Sequence, residues 1–507
     1  LDVLIGHRLI GHYIYNQRPY SRIAIAHMVR EAETRFSGDN LSSGGGYCRA
    51  ILDRLAKRFR AELAWIADPR AAHVDMMPVR TIDLSYHLIH SPSRAVPVDT
   101  GVGTIRTAEI NPAFAGQEGR HLVDGSTLAL ETTHDAHLTR YLAIAAQPRL
   151  TATHDRAGTD DGSATLQRLY LKAAWRNVEL EVGRDQAVFG NGALGGPLLS
   201  NNARPLDLVK LSSVRPFHHP WIFRYLGPSQ YTLVVANLGP EREFPYTSLI
   251  GFQSGFRPHR NVEFGFHHTY ILGGQGGPPV TALDPFSEFA FIRAPGIGGR
   301  NVADHRGGAG LRWTFPRWRN AVGYFDWVFE DLGRTNVLAN IIDVSGYLVG
   351  VYLPRLDREG RWDLRAEYRY AAPMLYRHES FTSGYQLNGK LLGDPLGPDA
   401  HAVRVSVGQH AARGVRWRGT LDYERRDGND YRQTLGAGGG PNRVVVARDN
   451  PAEHRVRGTL DVAYDTGKPL TVAAAAALER AFQFNFAPGA HRTDGRVVVG
   501  LRYHFDR

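Results

Sequence analysis

The sequence predicts an all-β transmembrane barrel of about eighteen antiparallel strands, with a small N-terminal α-helical bundle on its periplasmic side. Three observations predict it. Apolar and polar residues alternate with period two from about Val79 to the C-terminus. Short and long connections alternate along the same region. No apolar run approaches the ~20 residues a membrane helix needs, the longest being Leu470 to Leu478, interrupted by Thr471.

Residues 1–75 stand apart as a helical bundle, and 76–507 form the barrel. Leu52, Leu55, Phe59, Leu63 and Ile66 recur at helical spacing, as do Ile25, Met28, Val29, Ala32 and Phe36. Pro19 precedes the first of these helices, the Gly38 to Gly46 loop separates the two, and Leu1, Ile5 and Leu9 mark a shorter one before both.

Strands are expected to start near 79, 120, 138, 163, 178 and 219, and then regularly to the end. The cleanest runs from Arg361 to Tyr370, where Trp362, Leu364, Ala366, Tyr368 and Tyr370 alternate with Arg361, Asp363, Arg365, Glu367 and Arg369. One face suits lipid and the other a wet lumen. Tight links at Asp465 to Lys468, Ala411 to Gly414, Pro354 to Gly360, Pro316 to Trp318, Arg257 to His259 and Gly227 to Ser229 alternate with long ones near 484–493, 427–452, 372–399, 332–341, 273–305 and 239–246. The long side is extracellular in outer-membrane barrels, which puts both chain ends in the periplasm. Tyr423, Tyr464, Tyr503, Phe505, Trp417 and Trp362 are candidates for the interfacial girdles.

With 43% hydrophobic and 22% charged residues the composition would pass for soluble, which a barrel also does because its lipid-facing residues never form a run. The single cysteine, Cys48, excludes an internal disulfide. The chain starts at Leu1 without a charged segment leading into an apolar one, so export with the signal peptide absent from this chain is expected. A net charge of +10 favours acidic partners. Nucleic acid is not among them, since no block of like charge occurs.

Catalytic signatures are missing. Gly251 to Gly255 lacks the nucleophile-elbow spacing, and the glycine runs at 273–277 and 436–440 lie in loops with no helix to cradle a phosphate. The pairs His218-His219 and His267-His268 point to opposite faces of a strand, so neither chelates a metal by itself. Asp326 and Glu330 share a face, where cross-strand ion pairing explains them better than acid–base catalysis. No enzyme, cofactor or metal is predicted. Arg365, Arg369, Arg416, Arg418, Arg455, Arg457, Arg496 and Arg502 should form a basic lumen wall, as a ladder with Asp363, Glu367, Asp422, Glu424 and Asp461 or as an attractor for an anionic solute.

One stretch breaks the repetition. From Gly183 to Ser213 a strand runs into a glycine-rich turn at Gly190 to Pro197, and a long internal or extracellular loop is expected over about 190–218. Gly183-Arg184-Asp185, Gly190-Asn191-Gly192, Gly195-Gly196-Pro197, Leu199-Ser200-Asn201-Asn202-Ala203 and Pro205-Leu206-Asp207 resemble the central motif of the Wzi capsule-assembly family. The resemblance implies an eighteen-stranded outer-membrane barrel of a Gram-negative bacterium, with a periplasmic-side helical bundle, acting as a surface lectin that attaches capsular polysaccharide. Arg184, Asp185, Asn191, Ser200, Asn201, Asn202 and Arg204 are expected to form a lumen constriction, and Tyr376, Tyr385, Asn429 and Tyr431 to contact glycan from the long loops. The expected partners are an extracellular, acidic polysaccharide and outer-membrane lipid. The alternative is a porin-like channel for anionic solutes.

Overall fold

The computed structural model describes residues 1–505 apart from 39–44, 69, 71–73, 99–105, 112, 114, 291–301, 331–343, 379, 411–413, 429, 436–440 and 447–449. Helices α1 (Asp2–Gly6), α2 (Arg22–Gly38), α3 (Gly45–Arg58) and α4 (Arg60–Ala67) come first. The apolar period from Leu52 to Ile66 is split between α3 and α4, because the backbone bends at Phe59 (φ −110°, ψ 25°), whose ring is buried against Ala26 and Val29 of α2. Arg22 ties α2 to α4 by donating to Glu62 at 2.5 Å. Leu4, Ile5, Leu9, Met28, Ala32, Cys48, Ile51 and Leu52 form a separate apolar core.

The barrel is one 18-stranded antiparallel sheet. Its strands are β1 (Asp75–His90), β2 (Gly125–Thr139), β3 (Leu142–Asp155), β4 (Asp160–Trp175), β5 (Val178–Asp185), β6 (Leu206–Ser213), β7 (Ser229–Asn237), β8 (Ser248–His259) and β9 (Val262–Leu272). They continue with β10 (Ala303–Phe315), β11 (Ala321–Glu330), β12 (Ser345–Leu353), β13 (Trp362–Ala371), β14 (Ala400–His410), β15 (Val415–Arg426), β16 (Glu453–Asp465), β17 (Leu470–Phe482) and β18 (His491–His504). β1 pairs with both β2 (Leu84↔Leu130) and β18 (Leu84↔Leu501), so no edge is left for another chain to pair with. Each register fixes which face every residue takes. Leu84, Tyr86 and Leu88 are exposed on the lipid side, while His87 and Ile89, which alternate with them, are buried on the lumen side.

One strand differs from expectation. β6 occupies Leu206–Ser213, inside the segment expected to be loop, and the segment near 219 expected to be a strand is instead a 3-10 turn, Trp221–Leu226, on the periplasmic connection. The reason lies in what each faces. β6 turns Leu206 and Leu208 onto an apolar core inside the barrel, which hides the alternation of a wet lumen. The Trp-Ile-Phe sequence at 221–223 reads as β by side-chain type, yet these residues are exposed.

Protein fills much of the lumen. On the periplasmic side residues 13–18 thread between α1 and α2 into the barrel: Tyr15 and Asn16 donate backbone N–H to Glu263 of β9 at 2.7 and 3.3 Å, and Gln17 accepts from Thr232 of β7 at 2.8 Å. On the extracellular side the hairpin at 94–110 and the loops 186–205 and 372–399 share an apolar core that includes Val96, Ile110, Phe189, Leu198, Leu199, Phe381, Leu387 and Leu391. Burying an aromatic such as Phe189 contributes on the order of 2–3 kcal/mol. Gly265 lets the threaded segment approach the wall, since a Cβ there would sit 2.4 Å from the Asn16 side-chain nitrogen and from the Ser254 carbonyl. Gly265→Val should therefore expel residues 13–18 at a cost of roughly 1–3 kcal/mol, read as new protease cleavage there in a barrel that still resists SDS.

Candidate functional site

The stretch at 186–205 leaves β5 and doubles back inside the barrel before β6. Gly190 makes the turn possible: its φ is +122°, and a Cβ would lie 2.3 Å from the Gly196 Cα. Folding irregular backbone into a barrel leaves N–H groups that need partners. Wall carboxylates supply them. Asp326 of β11 accepts from the Asn191 backbone N–H at 2.6 Å and from its Nδ2 at 2.8 Å. Glu367 of β13 accepts from the Ala193 N–H at 2.8 Å and the Tyr324 hydroxyl at 2.7 Å. From below, the Arg18 guanidinium donates to the carbonyls of Gly190 and Gly192 at 2.8 and 3.0 Å, so the threaded segment and this loop meet in the lumen.

The other motif residues stitch loops together. Ser200 donates its hydroxyl to the Gly393 carbonyl at 2.5 Å, Asn202 Nδ2 donates to Leu391 at 3.0 Å, and Asn201 Nδ2 to Gly116 at 3.3 Å. Asp185 faces the lumen, accepting from Arg168 at 2.9 Å with Lys210 at 3.6 Å. Arg184 does not belong to the lumen. As the neighbour of Asp185 on a strand it points outward, forking onto Asp207 at 2.6 and 3.0 Å, and Arg204 joins the same carboxylate at 3.3 Å.

Tyr376 and Tyr385, expected at the glycan, are fully buried. Glu330 of β11 accepts the Tyr376 N–H at 2.6 Å, and the Tyr376 hydroxyl bonds the Pro197 carbonyl and accepts from the Asp394 N–H at 2.9 Å. The Arg306 guanidinium lies 4.3 Å from the Tyr385 ring centroid and pairs with Asp304 and Glu330. Burial pushes the Tyr385 hydroxyl up to about 12, and pushes Arg242, which donates to the carbonyls of Gln386 and Gly384, down to about 10. Asn429 lies outside the described residues; Tyr431 falls in a short strand pair, Asp430–Leu435 with Pro441–Val446.

Six of the wall arginines pair with carboxylates as follows, while Arg496 donates to the Ala113 carbonyl at 2.8 Å. Arg365 meets Asp2 of α1 at 2.9 Å, Arg369 meets Asp394 at 2.7 Å, Arg416 meets Asp465 at 3.4 Å and Arg418 meets Asp363 at 3.0 Å. Arg455 contacts Glu453 and Glu479 at 2.8 and 3.0 Å, and Arg457 contacts Asp422 and Glu479 at 3.3 and 3.1 Å. Arg365 and Arg369 thus fasten plug segments to the wall, while the others form the cross-strand ladder.

Above the plug, the extracellular face opens into a cleft of about 580 Å³ that no sequence signal marked. Segments far apart in the chain build it: Ser93 and Glu109 from the 94–110 hairpin region, Arg120 and Asp124 before β2, Asp155 and Arg156 at the β3–β4 turn, Arg204, and Asn388 and Lys390 of the 386–391 hairpin. Lys390 and Glu109 hold two of its walls together at 2.5 Å, backed by the Glu109 N–H donating to the Gly389 carbonyl at 2.6 Å. The cleft offers carboxylates, an amide and cations side by side, an inventory that reads hydroxyls and carboxylates of a polar ligand.

A family model described as capsule assembly protein Wzi matches residues 99–495. Among solved structures the chain is similar to Wzi of Escherichia coli, an outer membrane protein involved in group 1 capsule assembly and a carbohydrate-binding β-barrel, at 15% identity and TM-score 0.68, covering 100% of this chain and 97% of that one. OprD of Pseudomonas aeruginosa aligns at 10% identity and TM-score 0.43 over 86% of this chain and 98% of its own. OpdQ of the same organism gives 10% and 0.44 over 84% and 97%. No curated protein sequence matches the chain.

Asp326→Ala strands the Asn191 N–H in the lumen, and a buried unpaired donor costs about 1–3 kcal/mol. The expected readout is faster protease cleavage between 190 and 197, with the melting of the barrel itself little changed. Tyr376→Phe removes the hydroxyl shared by Pro197 and Asp394, and should loosen loop 372–399 by about 1 kcal/mol in hydrogen exchange.

Proposed function

The chain belongs to the Wzi capsule-assembly family, and from that premise we propose that it is an outer-membrane protein that holds capsular polysaccharide at the cell surface by binding it, without acting on it chemically. The observation that carries this reading is the polar extracellular cleft seated on a packed plug. A barrel filled by Phe189, Leu198 and Phe381 on one side and by residues 13–18 on the other has its recognition surface at the mouth. In that cleft Asn388 and the carboxylate of Asp155 suit sugar hydroxyls, and Lys390 suits the carboxylates of an acidic repeat. Each such hydrogen bond nets only about 0.5–1.5 kcal/mol in water. Affinity for a polymer then comes from many repeats engaging many copies of the protein, an avidity gain of roughly 10²–10⁴ over a single repeat.

A channel for anionic solutes has a narrower basis. A lumen cavity of about 560 Å³ lies beside the plug, and Arg120, Arg149, Arg416, Arg418 and Arg502 line it together with Asp83, Glu131 and Asp461.

The purified full-length protein should retain capsular polysaccharide of its source strain, and Asn388→Ala with Lys390→Ala should lower that retention about tenfold, two lost polar contacts at the ~0.7 kcal/mol scale each. Retention by the double variant equal to that of the parent would contradict the assignment of the cleft. In planar bilayers the plugged chain should stay nearly silent; deletion of residues 1–70 alone should leave it so, because the extracellular loops remain inside. A steady anion current from the intact chain would favour the channel.

A further inference from the structure

The outer wall has a second feature that capsule binding does not use. Across β14 to β18 and β1, lipid-facing neighbours follow two cross-strand rows. The upper row reads Val405, Leu421, Gly458, Leu478, Gly495, His90, and the lower reads Val407, Gly419, Leu460, Ala476, Val497, Leu88. From Leu421 and Gly419 to Gly495 and Val497 large and small residues alternate along and between the rows, and pits open at the glycines between ridges of leucine. The result is a concave apolar hollow of about 1130 Å³. Nothing lies within 4 Å of where a Cβ on Gly458 would stand.

The hollow has a charged upper rim. His90 and Arg156 both border it, sharing the Asp124 carboxylate at 3.7 and 3.5 Å, and both are more than half exposed. Arg480 on the lipid face of β17 donates to the hydroxyl of Thr493, another rim residue, at 2.6 Å. Asp494, which also borders the hollow, is turned inward onto Arg492 at 2.6 Å. The rim is thus basic on balance. His90 ends β1 at the extracellular side, so the cations stand at the level of the outer-leaflet headgroups and the pits at the level of its acyl chains.

We propose that this hollow is a binding site for one phosphorylated, multiply acylated lipid of the outer leaflet, its chains in the pits at Gly419, Gly458 and Gly495 and its phosphate against Arg156 and Arg480. The occupant is anionic because the rim is basic, and an anionic headgroup gains at each cation near the membrane surface. Its chains pack here because the ridges of Leu421, Leu460 and Leu478 add contact area on both sides of each chain.

Native mass spectrometry of the full-length protein in neutral detergent, titrated with lipid A, with dephosphorylated lipid A and with phosphatidylethanolamine, tests this. The expected result is a lipid A adduct that survives activation, weakened about thirtyfold by Arg480→Glu, a reversal of two charges at the ~1 kcal/mol scale of each at an anionic surface. Gly458→Leu should weaken it about tenfold by filling a pit. Val349→Leu on β12, outside the hollow, is the control and should leave the adduct unchanged. Equal adducts with all three lipids, or an adduct indifferent to both Gly458→Leu and Arg480→Glu, would overturn the proposal. If Gly458→Leu does not yield an SDS-resistant barrel, Arg480→Glu, an exposed side chain, decides alone. Polysaccharide retention by these variants should match the parent, which separates this site from the cleft.

Discussion

The structure depends on the satisfaction of backbone that has been taken inside a barrel. Strands satisfy one another around the closed sheet, but a loop turned into the lumen brings N–H groups with no ladder to join. Glu263, Asp326, Glu330 and Glu367, each almost fully buried, accept backbone N–H groups from Tyr15, Asn191, Tyr376 and Ala193. These carboxylates face the lumen at different heights on β9, β11 and β13, so the wall carries a template onto which three separate segments dock.

From this follows the division of labour along the barrel axis. The periplasmic helices have their own apolar core and send residues 13–18 upward, where Arg18 meets the loop descending from the other side. That loop in turn carries Ser200 and Asn202, which hold the 386–391 hairpin in place. The hairpin and its partner at 94–110 then form the walls of the extracellular cleft through Lys390 and Glu109. The loops that wall the cleft are thus held still by a chain of contacts that begins at the barrel wall.

Much of this was legible in the sequence, and the rest was not for identifiable reasons. Strands such as Arg361 to Tyr370 showed themselves because one face meets lipid and the other meets paired charges, the simplest case of period two. β6 did not, because Leu206 and Leu208 face protein inside the lumen as Val209 and Leu211 face lipid outside, so only Lys210 and Ser212 are left to mark a polar inner face. The helix period survived the bend at Phe59, since a bend changes direction without changing which residues are apolar. Tyr376 and Tyr385 looked like glycan contacts because loop aromatics usually are exposed; what buries them, Pro197, Thr269 and Arg306, lies too far along the chain to be paired by eye. The motif around Asn191 was visible as an oddity, but its partner Asp326 was read as an ion-pair member among arginines, and the structure gives it amide donors instead. The cleft itself left no local signal, being assembled from loops around half the barrel rim.

The central claim is that wall carboxylates hold irregular backbone inside the barrel, and amide hydrogen exchange of the folded protein tests it most directly. The N–H groups of Tyr15, Asn191, Ala193 and Tyr376 should exchange as slowly as amides in the centres of β9, β11 and β13. Exchange of these amides at the rate of unprotected backbone would contradict the account.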